Sequence, residues 1–304
     1  MRPQRPQTQH RACQVGRLEY QCAQAFLPLI PAMNSKSFFL LAAAAAVLSA
    51  GCYQVPVTGR HALSLVDDKE VTKMSIAAFD DMKAHNKIST DAEHNAQLQR
   101  VGERLQKAVP IWDMPDADWE FVVFDNPQIN AFAMAGGKVG VFTGLFKIAQ
   151  NDDQLASVIG HEIAHVTAKH IHEQLSREMA VNTAGMVGGV ALMGSSMGIL
   201  STEAIMQAYG LGAGVTGLAF DRSKEKEADY IGLMYMARAG YDPQEAINVL
   251  ERLEEETANE KTESSFLSTH PSNPDRIQQL REAMPKALKE RELGQIKPVQ
   301  VIVK

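Results

Sequence analysis

The residues that could do chemistry lie close together, in His161-Glu162-Ile163-Ala164-His165. Leu155, Val158, Ile159, Ile163 and Val166 surround them at helical spacing, so the segment reads as a buried helix. At 3.6 residues per turn, His161 and His165 share one face, one turn apart. Two imidazoles so placed can share a zinc ion at about 2.0–2.1 Å each. Glu162 points about 100° away around the helix, which removes it as a further ligand on that face. It can still reach a water beside the metal. Zinc lowers the pKa of such a water to about 7, so a carboxylate base can take its proton at neutral pH. A pattern this short also arises by chance, and then falls more often in a polar surface segment. His170 and His172 come next, read here on the same helix. His172 would return to the face of His165 about 10 Å along the axis, too far to share a metal. Both are expected to be solvated.

A catalytic zinc site needs a third protein ligand and an open position. Glu173, Glu178, Glu203, Glu225 and Glu227 all lie downstream. Glu225 and Asp229 are four apart and share a helical face, with Ala228 and Gly232 small enough there to let a second helix come close. Glu227 lies about 200° from Glu225, on the opposite face. Glu225 is therefore the expected ligand. Asp229 is expected to accept a hydrogen bond from the free ring nitrogen of a ligand histidine, fixing its tautomer. A charged, solvated helix start would read the same in isolation.

Four blocks together resemble one family. They are Asn130-Ala131-Phe132-Ala133-Met134-Ala135-Gly136-Gly137, the His161–His165 motif, Glu225-x-Glu227-Ala228-Asp229, and His270-Pro271 with Arg276-Ile277. In that order they are similar to the zinc metallopeptidases that include the CAAX prenyl protease, HtpX, the mitochondrial Oma-type proteases, BepA and LoiP, and most similar to the periplasmic lipoprotein members. The resemblance runs from about Pro56 to about Met284. One departure is Ala135, where the family often has proline before the Gly-Gly pair. The resemblance implies zinc endopeptidase activity with one Zn2+ per chain, held by His161, His165 and Glu225, with Glu162 as catalytic base and Asp229 behind the ligands. It also places His270 near the metal. There His270 would donate to the oxyanion or occupy the open position at rest. The first role is the expected one, because water normally holds that position.

The elements that must position these residues can be read from pattern and punctuation. At 304 residues, 45% hydrophobic and 22% charged, the chain has a globular composition and is long enough for one large core or two small ones. Residues 1–51 carry +4 of a total of −6, so the remainder carries −10 and offers no footprint for nucleic acid. Residues 1–32 are rich in Gln, Arg and Pro, without a helical or strand period, and read as an N-terminal extension. A short apolar run then ends in Leu48-Ser49-Ala50-Gly51-Cys52, which looks like a bacterial lipoprotein cleavage site, with the signal at about 33–51. Cys52 would be lipidated and would anchor the chain to a membrane. Cys13 and Cys22 precede that point, so no disulfide is expected after cleavage.

After Cys52, residues 52–66 read as an extended lead-in turning at Thr58-Gly59, and 67–291 as the metallopeptidase domain, with a tail over 292–304. Asp67-x-x-Glu70 opens a helix to about His85, and Thr90-x-x-Glu93 opens a second. Trp119–Phe124 reads as a strand. Asn130 to Phe142 reads as a hairpin turning at Gly136-Gly137. Asn130, Ala131, Phe132 and Ala133 form either a substrate-binding strand or an ordinary core hairpin. Residues 179–202 carry no charge and hold five glycines. A second apolar Gly-rich run spans Ala204 to Phe220. A helical hairpin over 179–220, lying over or beside the cleft, is the expected reading; contact with the membrane or a partner and a full span are the alternatives. Thr257–Ser268 reads as a polar loop, and Asn273-Pro274 opens a last helix. The expected fold is α+β, mostly α: a zincin-type (gluzincin) helical core with a small antiparallel sheet. The expected function is endoproteolysis of protein or peptide substrates in the bacterial envelope. The protein would be lipid-anchored with its catalytic domain in the periplasm, at the outer membrane; the resemblance implies that it degrades or processes misfolded envelope proteins beside outer-membrane assembly or protease partners. The competing function is a membrane-tethered chaperone or assembly factor with a gated or vestigial protease site.

Overall fold

In the computed structural model, the described residues are 52–115, 117–187, 201–211, 220–259, 265–271 and 274–296. The expected extension and signal at 1–51 lie outside them, as do most of the Gly-rich run and the final residues of the expected tail. The described residues all fall in one compact unit that begins at Gly51.

Helix α3, Asp152–Thr167, is the axis of that unit. Asn151 caps it, its side chain accepting from the Gln154 amide at 2.8 Å, and Asp152 and Asp153 face the positive end of the helix dipole. Leu155, Ala156, Ile159, Ile163 and Ala164 are fully buried and cover more than one face, so α3 must run through the interior rather than along it. Helix α6, Arg222–Arg238, crosses it, capped by Asp221 through the Ser223 and Lys224 amides at 3.0 Å. The crossing is close because glycine meets glycine. A Cβ on Gly232 would stand 2.7 Å from the His161 backbone nitrogen and 2.8 Å from the Gly160 carbonyl carbon.

The other elements enclose this pair. Strands β1 (Cys52–Gln54) and β2 (His61–Leu63) form an antiparallel hairpin, so the expected lead-in is folded. Helix α1, Asp68–His85, starts at Asp67 as expected, and α2, Ala92–Ala108, is capped by Asp91 instead of Thr90. Asp91 Oδ1 accepts from the His94 amide at 2.9 Å. Strands β3 (Glu120–Phe124), β4 (Ala131–Met134) and β5 (Lys138–Phe142) form a sheet in the order β3-β5-β4. The β4–β5 hairpin is antiparallel and turns at Gly136 and Gly137, whose φ of +87° and +79° suit glycine. β3 joins β5 in parallel, which makes this sheet mixed. Phe79, Phe124, Phe132 and Phe142 pack edge to face between α1 and one face of the sheet.

Helix α4, His170–Val187, begins a new axis after α3, because Lys169 takes a left-handed φ of 54°. Helices α5 (Thr202–Ala208), α7 (Glu245–Asn259), α8 (Ser265–Thr269) and α9 (Pro274–Ile296) complete the fold. The expected polar loop at 257–268 is partly helical, and α9 runs five residues into the expected tail. No helix among the described residues is long and apolar enough to cross a membrane.

Candidate metal centre

Helix α3 presents His161 and His165 to the α6 crossing, α6 presents Glu225, and the end of α8 presents His270. One donor atom from each lies within 4.8 Å of the others, and all four residues are buried. His161 Nε2 is 3.1 Å from His165 Nε2 and 3.4 Å from Glu225 Oε2; His165 Nε2 is 3.3 Å from Glu225 Oε1. His270 Nδ1 is 3.3 Å from His161 Nε2 and 3.1 Å from Glu225 Oε1. Glu162 sits beside the cluster, Oε1 being 3.5 Å from His270 Nε2.

The donor set fits a cation such as zinc. His161 Nδ1 lies 2.9 Å from Asp229 Oδ1. Burial would lower this ring, but without a cation Asp229 and Glu225 push it up to about 10. In the neutral ring that binds a metal, the hydrogen belongs on Nδ1, since a carboxylate only accepts, and Nε2 holds a lone pair. That lone pair faces another imidazole nitrogen. Glu225, with no exposed surface, leaves Oε2 without a hydrogen bond, its nearest charge being Arg276 Nη1 at 3.0 Å. Lone pairs and a carboxylate oxygen that converge in a buried space repel one another unless a cation lies between them. Ligands at about 2.0–2.1 Å in tetrahedral array stand roughly 3.3 Å apart, the spacing found here.

Burial would raise the Glu225 carboxyl, but His270 and His161 beside it hold it well below the usual carboxylate range. Asp229 is likewise lowered against its burial, chiefly by Arg276, which grips it through Nε–Oδ2 at 2.6 Å and Nη2–Oδ1 at 2.7 Å. Burial pushes Glu162 up and draws His165 well down.

Two sequence expectations need correction. His170 and His172 are buried, not solvated. The break at Lys169 turns the chain, so helical spacing from His165 does not apply to them. His170 comes to lie against His165, and His172 pairs with Asp68 at 3.2 Å. Of the downstream glutamates, the structure brings Glu225 to the cluster; Glu203 is exposed on α5. Asn130, Ala131, Phe132 and Ala133 form the edge strand β4 and its entry, packed beside α3. Asn130 accepts from the Phe142 amide, so by alternation Ala131, Ala133 and Ala135 direct their backbone groups to the open edge. There the Tyr209 hydroxyl meets the Ala135 amide at 3.0 Å. Sequence reasoning missed Tyr209 and also Phe220, whose ring lies 4.0 Å from that of His165. Neither carries a spacing signal.

Two crossed helices, a His-x-x-x-His pair on one, a glutamate from the other and a second carboxylate alongside make the fold and site of a zinc metalloendopeptidase of zincin type. The comparison with protein families is narrower: the model described as Peptidase family M48 matches residues 92–284, and the chain belongs to that family. It is similar to the mitochondrial metalloendopeptidase OMA1 of Schizosaccharomyces pombe, 31% identical over 238 residues, covering 78% of this chain and 68% of that one. The corresponding protein of Saccharomyces cerevisiae is 35% identical over 175 residues, 56% of this chain and 48% of its own. The beta-barrel assembly-enhancing protease of Escherichia coli K12 is 34% identical over 165 residues, 52% of this chain and 33% of its own.

Proposed function

We propose that this chain is an endopeptidase that cleaves protein substrates in the bacterial envelope, anchored by a lipid on Cys52. The observation that carries the catalytic reading is the convergence of His161, His165 and Glu225 with Glu162 beside them. Zinc, when bound, supplies a Lewis acid for the scissile carbonyl and acidifies water. Glu162 takes the proton of the attacking water and returns it to the leaving amine nitrogen. Its upward shift by burial suits a group that must do both. On the outer edge of β4 the Ala131 and Ala135 amides donate to Asn130 Oδ1 and the Tyr209 hydroxyl. An extended substrate would pair with the main chain at Ala133 and displace these contacts, with little sequence preference. Arg276 holds Asp229, and Asp229 holds His161.

The envelope assignment rests on the Leu48-Ser49-Ala50-Gly51-Cys52 pattern and is supported by the bacterial beta-barrel assembly-enhancing relatives. The OMA1 relatives are mitochondrial, so similarity alone does not choose the compartment. Turnover of misfolded envelope proteins is the substrate class we assign. A second reading, a tethered chaperone or assembly factor with a gated site, draws on the closure of the cluster: His161, Glu162, His165 and His270 are all at most 6% exposed.

Cleavage of casein with and without a chelator, on wild type and Glu162→Gln, separates the two. Proteolysis is expected to vanish with the chelator and to fall at least ~10²-fold in Glu162→Gln while zinc is retained. Full cleavage by that variant would refute the mechanism, and no cleavage by wild type would favour the chaperone.

A further inference from the structure

One step behind the cluster, a second imidazole and a carboxylate line up on His165. His165 Nδ1 and His170 Nδ1 are 3.0 Å apart, and both rings are buried. His170 Nε2 is 3.1 Å from Glu227 Oε2. That oxygen also accepts from Arg60 Nε at 2.8 Å, and Glu227 Oε1 accepts from Thr58 Oγ1 at 2.6 Å. Thr58 and Arg60 belong to the turn between β1 and β2. The chain of contacts therefore starts inside the family match of 92–284 and ends outside it.

Counting hydrogens sets the direction of this chain. A hydrogen bond between two ring nitrogens needs one N–H and one lone pair. Glu227 only accepts, so His170 carries its hydrogen on Nε2. As a neutral ring it then offers a lone pair at Nδ1, which accepts from the N–H at His165 Nδ1. His165 is left with a lone pair on Nε2, the atom that faces His161 and Glu225. In the reverse order Nε2 would carry the hydrogen and could not bind a cation.

We infer that His170 and Glu227 are positioning residues that hold His165 in its metal-binding tautomer, and that the N-terminal hairpin secures the far end of this relay through Arg60 and Thr58. The inference rests on the proposed zinc reading. It also explains an asymmetry: His161 meets its carboxylate, Asp229, directly, whereas His165 reaches Glu227 through an imidazole.

The test is the zinc dissociation constant of the full chain, measured by competition with a chromophoric chelator, with the melting temperature of the zinc-stripped protein as a control. His170→Leu keeps bulk but breaks the relay, and should weaken zinc roughly 10–100-fold, the usual scale for such outer partners. His170→Gln offers a carbonyl oxygen to His165 and an amide hydrogen to Glu227, and should recover most of that loss. Arg60→Met should weaken zinc by a smaller factor. Equal losses in the Leu and Gln variants, or none in either, would overturn the relay. An unchanged constant in Arg60→Met would remove the hairpin from it, and a wild type that binds no zinc would refute the zinc reading itself.

Discussion

His270 reaches the cluster through Nδ1, at 3.1 Å from Glu225 Oε1, while Nε2 faces Glu162. With its hydrogen on Nε2, Nδ1 would offer a lone pair among the ligand atoms; with its hydrogen on Nδ1, the ring would donate to Glu225 Oε1. The first arrangement makes His270 a proposed resting occupant of the fourth position; the expected donor role needs an N–H turned toward the substrate. On this basis His270→Ala is expected to raise kcat on a short unstructured peptide at equal zinc occupancy. A fall of roughly 10²–10³, the scale for a lost oxyanion donor, would assign it the transition-state role instead.

At the scale of elements, the α3–α6 crossing decides whether the ligands meet. Gly232→Ala would bring a methyl group against the His161 and Gly160 backbone, which has no freedom to rotate away. Alanine's helix preference contributes about 1 kcal/mol, while overpacking costs roughly 1–3 kcal/mol or more against main chain. The variant should melt lower and bind zinc more weakly, because Glu225 and Asp229 move off α3 together. Unchanged zinc affinity would show that the crossing tolerates the shift. A second joint ties the N-terminal hairpin to α4 and α6: Glu173 accepts from Arg60 Nη2 at 2.6 Å and from Lys224 Nζ at 2.8 Å. Burial raises Glu173, but these two cations outweigh it and hold its carboxyl below the usual value. A lowered acid stabilises the fold above its unfolded pKa, and the gain is lost as pH falls through the folded pKa. Glu173→Gln should therefore cost about 1–3 kcal/mol at pH 7, allowing for the solvent-facing side of Arg60. The gap between the melting curves of the two proteins should narrow as pH falls below the ordinary carboxylate range and close below the lowered folded pKa. A gap that does not narrow as pH falls would mean the loss is one of packing.

For the whole molecule, the segment that begins at Cys52, the proposed lipid site, is joined directly to the helix that carries His161 and His165. β1 begins at Cys52, and Tyr53, the next residue, donates its hydroxyl to the Ala168 carbonyl at 2.6 Å, just beyond the end of α3. A lipid on Cys52 would thus fix the zinc-bearing helix near the membrane surface. Two or three acyl chains anchor stably, since each buried CH₂ contributes about 0.8 kcal/mol. Cys52→Ser is expected to abolish fatty-acid labelling and to release the chain into the soluble fraction, with peptide cleavage unchanged. Labelling that survives the substitution would contradict the lipid anchor.

Features set by local spacing were determined by the sequence alone. Four residues along a helix place His161 and His165 on one face wherever that helix lies, and the same rule pairs Glu225 with Asp229. Caps at Asp67 and Asn151 and the turn at Gly136-Gly137 are equally local, because each is decided by a backbone group within a few residues. What only the tertiary structure decided depends on where an axis changes direction or on which elements meet. Lys169 ends α3, and that single left-handed residue moves His170 from an expected solvated face to a place behind His165. Glu227 lies opposite Glu225 on α6, as its spacing required, yet that face is covered by the hairpin and by His170 instead of water. β3 takes the other edge of β5 and runs parallel to it, a pairing between strands separated along the chain that no local turn specifies. Arg276, some fifty residues from Asp229, closes the site by long-range charge pairing, for which helical spacing holds no signal.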